Sequence, residues 1–127
     1  MRRKTVPAAQ VPTTDEITTE KNGNYTVISA SREFSLFKTA KVIKDTVREL
    51  LSGGERRIAI DLSRAVVIDS EVISAIIECH KEVLRAGGEM ALITSRNRVL
   101  EAMLKLRMDR VVRIIENEAA LARLQSR

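Results

Sequence analysis

The sequence has few of the residues that catalytic, metal-binding and secreted proteins depend on. Its 127 residues include one cysteine, one histidine and no tryptophan, which excludes both a disulfide framework and a zinc site of clustered cysteines. No apolar run approaches the roughly 18 residues that are needed to cross a bilayer. The basic start of the chain also lacks the apolar stretch of a secretory signal. We therefore expect a cytoplasmic protein that carries no cofactor or metal and does not insert into membranes.

The sequence also offers little support for catalysis or for nucleic-acid binding. Cys79 and His80 are neighbours, and adjacent helix residues point about 100° apart, which disfavours a catalytic pair. Neither Gly-Gly pair has the spacing or the lysine of a phosphate-binding loop. The net charge of +5 is modest, and one tyrosine with two phenylalanines provides no stacking platform for single strands. We therefore expect neither an enzyme nor a nucleic-acid partner.

The first 22 residues differ in composition from the rest of the chain. They hold two prolines and few large apolar side chains, so they cannot bury enough surface to offset their ordering entropy. Asn22-Gly23-Asn24 is a turn signal, and the β-branched and aromatic segment after it predicts a strand at residues 25–29. The composition therefore predicts a flexible tail over residues 1–22 and a folded domain over residues 23–127.

Strand and helix patterns alternate through the rest of the chain. Short links between such elements favour parallel βαβ units with helices packed on a sheet. We therefore expect an α/β fold of four or five strands, mixed in direction, with helices mainly on one face. The patterns predict helices at residues 36–51, 70–86, 99–104 and 119–124, and strands at residues 57–62, 90–94 and 111–115, with a short extended piece at residues 66–68.

Two residues at the start of the second helix stand out. Asp69 and Ser70 are both favourable N-cap types, and the unpaired N–H groups and the helix dipole at such a position favour an anion. A phosphate on Ser70 would add about −1.5 to −2 charges there without unfolding the domain. On the residues alone, simple capping is the commoner role for such a serine.

The sequence around this position resembles a known family. Asp61-Leu62-Ser63 through Ile68-Asp69-Ser70, followed by Gly87-Gly88-Glu89-Met90-Ala91-Leu92, is similar to a STAS domain, the family of bacterial anti-sigma factor antagonists. The resemblance covers roughly residues 24–125 and includes the order of the elements. It implies a single STAS-like α/β domain.

The resemblance implies partner switching in transcription regulation. In that family, the serine after the aspartate is phosphorylated by an anti-sigma factor that is also a serine kinase of the histidine-kinase-like ATPase fold. A metal-dependent serine phosphatase resets the switch. Carried over by position, Ser70 is the phosphorylation site of this phosphoprotein and Asp69 is the capping carboxylate beside it. The unphosphorylated protein would bind the kinase, the phosphorylated protein would release it, and the domain itself would perform no chemistry.

The expected partner-binding surface is the loop at Asp69 and Ser70, together with Glu71, Ile73 and Ser74 in the first turns of the helix. Two flanking positions complete it. Ser35 stands where the family often has a carboxylate, and Arg64, in the connection before the helix, could offset the changed charge.

Two departures from the family pattern keep a second interpretation open. Glu71 and Val72 replace a Ser or Thr and a Gly, so a permanent negative charge and two extra methyl groups would meet a docked kinase. They favour a STAS scaffold or accessory subunit of a larger signalling or lipid-transport complex that is never phosphorylated. The basic helix face and the strand at residues 111–115 are surfaces that a homodimer could use.

Overall fold

The computed structural model describes residues 17–30, 36–64, 70–94 and 98–125. Within these ranges the strands form one sheet of five strands in sequential order. The first two strands are antiparallel, and the other neighbouring pairs are parallel. The expected mixed α/β sheet is thus confirmed. Its strands are β1 (Ile17–Asn22), β2 (Tyr25–Ala30), β3 (Arg57–Asp61), β4 (Glu89–Ile93) and β5 (Arg113–Ile115).

The helices lie mainly on one face of this sheet, as the pattern predicted. Sequential parallel strands joined by right-handed crossovers place all the connecting helices on the same side. Side chains from the first three helices accordingly share one large hydrophobic core with the strands. The fourth helix covers the other face through Leu121. The helices are α1 (Leu36–Ser52), α2 (Ser70–Arg85), α3 (Arg98–Lys105) and α4 (Leu121–Gln125).

The periodicity of the sequence explains which side chains are buried. On α1, Ile43, Val47 and Leu50 recur at spacings of three and four and are all buried. On β3, Ile60 faces the large core, whereas the neighbouring Ala59 faces the smaller core beneath α4. Helix packing and strand alternation therefore combine into two cores on either side of one sheet.

The predicted boundary between a flexible tail and the domain is wrong. Strand β1, of six residues, pairs with β2 along its whole length. Ile17 is 1% exposed, and Lys21 forms an ion pair of 2.7 Å with Glu55. Gly23, at φ +62°, lies in the two-residue hairpin turn. Composition missed this strand because it has only one large apolar residue and takes its remaining stability from pairing. Residues 1–16 lie outside the described residues.

The last strand is shorter than expected. The sequence predicted a strand over residues 111–115, but only Arg113–Ile115 pair with β4. A 3₁₀ turn at Met108–Arg110 precedes it, and Val112 enters the large core while Val111 is 46% exposed. The backbone N–H groups of Val111 and Val112 both donate to the Met108 carbonyl, so only the three residues after them remain to pair with β4. The predicted extended piece at residues 66–68 lies outside the described residues.

Candidate functional site

Helix α2 begins at Ser70, at the edge of the sheet where the parallel strands end. The connection from β3 leaves the sheet in a tight turn, in which Asp61 Oδ1 accepts a hydrogen bond of 2.9 Å from the Ser63 backbone N–H. Leu62 N–H donates to the Ile93 carbonyl at 2.7 Å, which holds the connection to β4. Ser70 itself is exposed and is the first residue of a 16-residue helix.

The first turns of α2 divide the predicted site residues between the surface and the core. Glu71 and Ser74 are exposed, and Ile73 is half-buried against the large core. Val72 is completely buried in that core. The expectation that Val72 presents two extra methyl groups to a partner is therefore wrong, because the helix turns this side chain inward to pack.

Three of the predicted residues come together in one shallow groove between α1 and α2. Its volume is about 280 Å³, and it contains Ser70, Glu71 and Ser74 on the α2 side. The groove is open to solvent and has both hydroxyl and carboxylate groups along one wall. This arrangement suits contact with another protein surface better than enclosure of a small substrate.

The groove also contains residues that the sequence analysis missed. Ala40 and Lys44 line it from α1, and Glu78 lines it from α2. Lys44 Nζ lies 3.8 Å from Glu78 Oε2, a long and partly exposed ion pair that contributes little to stability. Spacing was an available signal, since Glu78 follows Ser74 by one helical turn, but only tertiary packing shows which face of α1 lies opposite.

The remaining predicted site residues are not part of this groove. Arg64 is exposed in the connection after β3 and does not line the groove. Asp69 and Ser35 lie outside the described residues, so the capping role of Asp69 and the position of Ser35 stay predictions.

Below the groove, a second ion pair joins α1 to α2. Arg48 Nε and Nη2 donate to the two carboxylate oxygens of Glu82, at 3.3 and 3.2 Å. This hydrogen bond to Glu82 raises the pKa of Arg48. The pair is a further contact between α1 and α2, but it is exposed to solvent and therefore contributes little to holding the helices together.

Cys79 and His80 do not form a reactive pair. Cys79 is buried, and burial raises the pKa of its thiol to about 12, so the nucleophilic thiolate is scarce at neutral pH. In the part of the chain that the structure describes, no three His, Cys, Asp or Glu side chains are grouped so that they could hold a metal ion. No helix in the described ranges is long and apolar enough to cross a membrane.

Comparisons with known proteins agree with this architecture. The family model described as STAS domain matches residues 16–121. A search of curated proteins finds no match. The solved structure of TM1081 from Thermotoga maritima has a TM-score of 0.78 at 22% identity, covering 89% of this chain and 97% of its own.

Two further solved structures share the fold at lower identity. An anti-sigma factor antagonist from Mycobacterium paratuberculosis has a TM-score of 0.74 at 14% identity, covering 86% of this chain and 92% of its own. The anti-sigma factor antagonist SpoIIAA in its unphosphorylated form has a TM-score of 0.63 at 14% identity, covering 86% and 97%. Similarity at these identities establishes a common fold.

Proposed function

The chain belongs to the STAS domain family, and on that premise we propose that it is an anti-sigma factor antagonist that switches partners through Ser70. The observation that carries the proposal is the position of this serine. It is exposed at the first residue of α2, directly after Asp69 in the sequence, and lines a groove on the protein surface. Two proteins of the same fold are anti-sigma factor antagonists, namely SpoIIAA and a protein from Mycobacterium paratuberculosis.

In the unphosphorylated form, the surface around the groove binds a serine-kinase anti-sigma factor of the histidine-kinase-like ATPase fold. Glu71 and Ser74 supply polar contacts, and the exposed Arg64 and the half-buried Ile73 contribute further contacts outside the groove. Asp69, and Ser35 from the chain before α1, complete it. Binding of the kinase releases its client sigma factor, and the antagonist takes part in no chemistry beyond accepting the phosphate.

Phosphorylation of Ser70 changes the charge of this surface while leaving the fold in place. The phosphate adds about −1.5 to −2 charges at a helix N-terminus, where the dipole and the unpaired N–H groups stabilise an anion. The same groove already contains the carboxylates of Glu71 and Glu78, so the added charge repels any acidic contact of the partner. Lys44 lines the same groove, and because its ion pair with Glu78 is long, it is a cation within the groove that the phosphate can attract. A metal-dependent serine phosphatase restores the binding form.

Phosphorylation is tested by incubating the protein with its candidate kinase and ATP and measuring the intact mass. We expect a gain of one phosphate that Ser70→Ala abolishes. Ser74→Ala is the matched control, since Ser74 is also exposed and lines the same groove one turn later. If Ser74→Ala lost the phosphate and Ser70→Ala kept it, the phosphorylated residue would be Ser74, and the proposed role of Ser70 would be refuted.

Partner release is tested by titration calorimetry with the same kinase. Ser70→Asp places a negative charge at the acceptor position and should weaken binding by at least tenfold, about 1.4 kcal/mol. Ser74→Asp adds the same charge further from the helix end and should have a smaller effect. Equal affinity of Ser70→Asp and the unmodified protein would contradict switching.

A second function is favoured by one observation, the exposed carboxylate of Glu71 next to the acceptor. A permanent charge there suits a STAS scaffold or accessory subunit of a larger signalling or lipid-transport complex, which binds without being phosphorylated. Val72 does not support this alternative, because its side chain is buried in the core. Retained binding with no phosphate incorporated, and an unchanged affinity for Ser70→Asp, would support the scaffold. Light scattering would show whether either form is a homodimer.

A further inference from the structure

A second pocket lies at the end of the sheet opposite to Ser70. Its volume is about 470 Å³, within the usual range of small-molecule sites. The first residues of four neighbouring strands line it, namely Tyr25, Arg57, Glu89 and Arg113. Since Ser70 follows the carboxyl end of β3, this pocket at the amino ends of the strands is separate from the groove between α1 and α2.

The pocket forms because β4 extends beyond β5. The ladder between these strands begins where Ala91 pairs with Arg113, so Glu89 and Met90 lie past the end of the neighbouring strand. His80 and Leu84, near the end of α2, approach from one side, and Val111 approaches from the turn before β5. The gap in the sheet is thus flanked by side chains from α2 and from the turn before β5.

One part of the lining is apolar and exposed. Leu84 and Val111 are 54% and 46% exposed, and both are among the large hydrophobic side chains that the described fold leaves in contact with water. Met90 and Leu124 also line the pocket, Met90 from the large core and Leu124 from the smaller core on the other face of the sheet. Apolar side chains that line a concavity favour a ligand with an apolar body, because filling the pocket removes this surface from water.

The polar part of the lining contains one carboxylate, which is already engaged. Glu89 Oε2 accepts hydrogen bonds of 3.3 Å from Tyr25 Oη and from Arg57 Nε. Burial and the neighbouring Glu89 carboxylate raise the pKa of Tyr25, so its hydroxyl keeps the proton that it donates. Arg57 and Glu89 therefore balance each other in charge at this end of the sheet.

Two further polar groups face the pocket without such partners. Arg113 makes no hydrogen bond or ion pair with the part of the chain that the structure describes, and the half-buried ring of His80 makes no hydrogen bond there. Burial lowers the pKa of His80, so at neutral pH one ring nitrogen donates and the other accepts. Among the described residues, the lining thus combines a guanidinium group without a partner, a further donor and an apolar part.

We propose that this pocket binds a small organic anion in which a carboxylate or phosphate head group is joined to a short apolar body. The guanidinium of Arg113 pairs with the head group through parallel hydrogen bonds. Leu84 and Val111 cover the apolar body, and the His80 ring lies beside it, one turn before Leu84 on α2. This site does not depend on the switching function of Ser70, which lies at the other end of α2.

The proposal is tested by titrating the ¹⁵N-labelled protein with hexanoate and following its backbone amide signals by NMR. We expect saturable shifts concentrated at the amino ends of β3, β4 and β5. Hexyl phosphate should shift the same amide signals, and its affinity relative to hexanoate compares a phosphate head group with a carboxylate. Hexanol lacks the anion and inorganic phosphate lacks the apolar body, so each should bind at least tenfold more weakly.

Variants separate a specific site from general attraction to a basic protein. Arg113→Gln should lower the hexanoate affinity at least tenfold with an otherwise unchanged spectrum. Arg110→Gln is the matched control, because Arg110 is exposed three residues earlier, lies outside the pocket lining and carries the same charge. Equal losses in both variants would overturn the proposal, as would hexanol or inorganic phosphate binding as tightly as hexanoate. Concentration-dependent shifts of these signals without ligand would assign the surface to a second copy and also overturn it.

Discussion

Cys79 is a single-site probe of how tightly α2 packs against the sheet. It is the one cysteine of the sequence and is 1% exposed. Burial raises the pKa of its thiol from 9.0 to about 12, with a smaller contribution from the Glu82 carboxylate. At pH 8 the thiolate fraction is then about one ten-thousandth in the native protein, against about one tenth in the unfolded chain.

We expect a disulfide reagent at pH 8 to react at least a thousandfold more slowly with native Cys79 than with the denatured chain. Both effects slow the reaction, because little thiolate is present and the reagent cannot reach the buried sulfur. The reference is Ser74→Cys in a Cys79→Ala background, which places an exposed thiol on the same helix. If native Cys79 reacted within tenfold of this exposed thiol, the close packing of α2 would be refuted.

The same thiol makes stability depend on pH at the alkaline end. A thiol whose pKa is raised in the folded state binds its proton more tightly there, so its contribution is complete below pH 9 and is lost as the pH rises towards 12. The loss between these values is on the order of 4 kcal/mol. The free energy of unfolding should therefore fall more steeply with pH in the unmodified protein than in Cys79→Ala. Parallel curves would contradict the burial of the thiol.

Two further substitutions test the packing around α1 and at the end of α2. Thr46 Oγ1 is buried without a hydrogen-bond partner in the described residues, so Thr46→Val should raise the free energy of unfolding by about 1 kcal/mol. If urea denaturation gave a lower free energy of unfolding for Thr46→Val, the hydroxyl would be shown to have a partner. A Cβ at Gly88 would lie 2.0 Å from the Arg56 carbonyl oxygen, so Gly88→Ala should lower the free energy of unfolding by at least about 2 kcal/mol. An unchanged urea midpoint would mean that the α2–β4 connection is not this close to β3.

The order of elements and the start of α2 were predictable because they depend on local periodicity. The stripe of Ile43, Val47 and Leu50 is a local signal for α1, and glycines with positive φ at residues 54 and 87 follow the ends of α1 and α2, as helix-ending glycines commonly do. Ser70 was placed correctly at the first residue of α2, because its residue type and the apolar stripe that follows it are both local signals.

The features that the sequence analysis missed depend on contacts between distant segments. Strand β1 takes its stability from pairing with β2, which composition does not report. At Val111 a strand was predicted where none forms, because its β-branched side chain is typical of strands but the residue lies exposed beside a 3₁₀ turn. Val72 was expected at the surface, yet the rotation of α2 against the sheet turns it into the core.

The α/β class, the positions of the two long helices and the serine at the start of α2 follow from the chain's local patterns, because burial and capping recur at regular spacings. In contrast, folding is needed to show that Lys44 lies across the groove from Ser70, and that Arg113 and His80 line one pocket. These neighbours are brought together by the sheet register and by the docking of α2. Both depend on the whole core, and neither leaves a periodic signal along the chain.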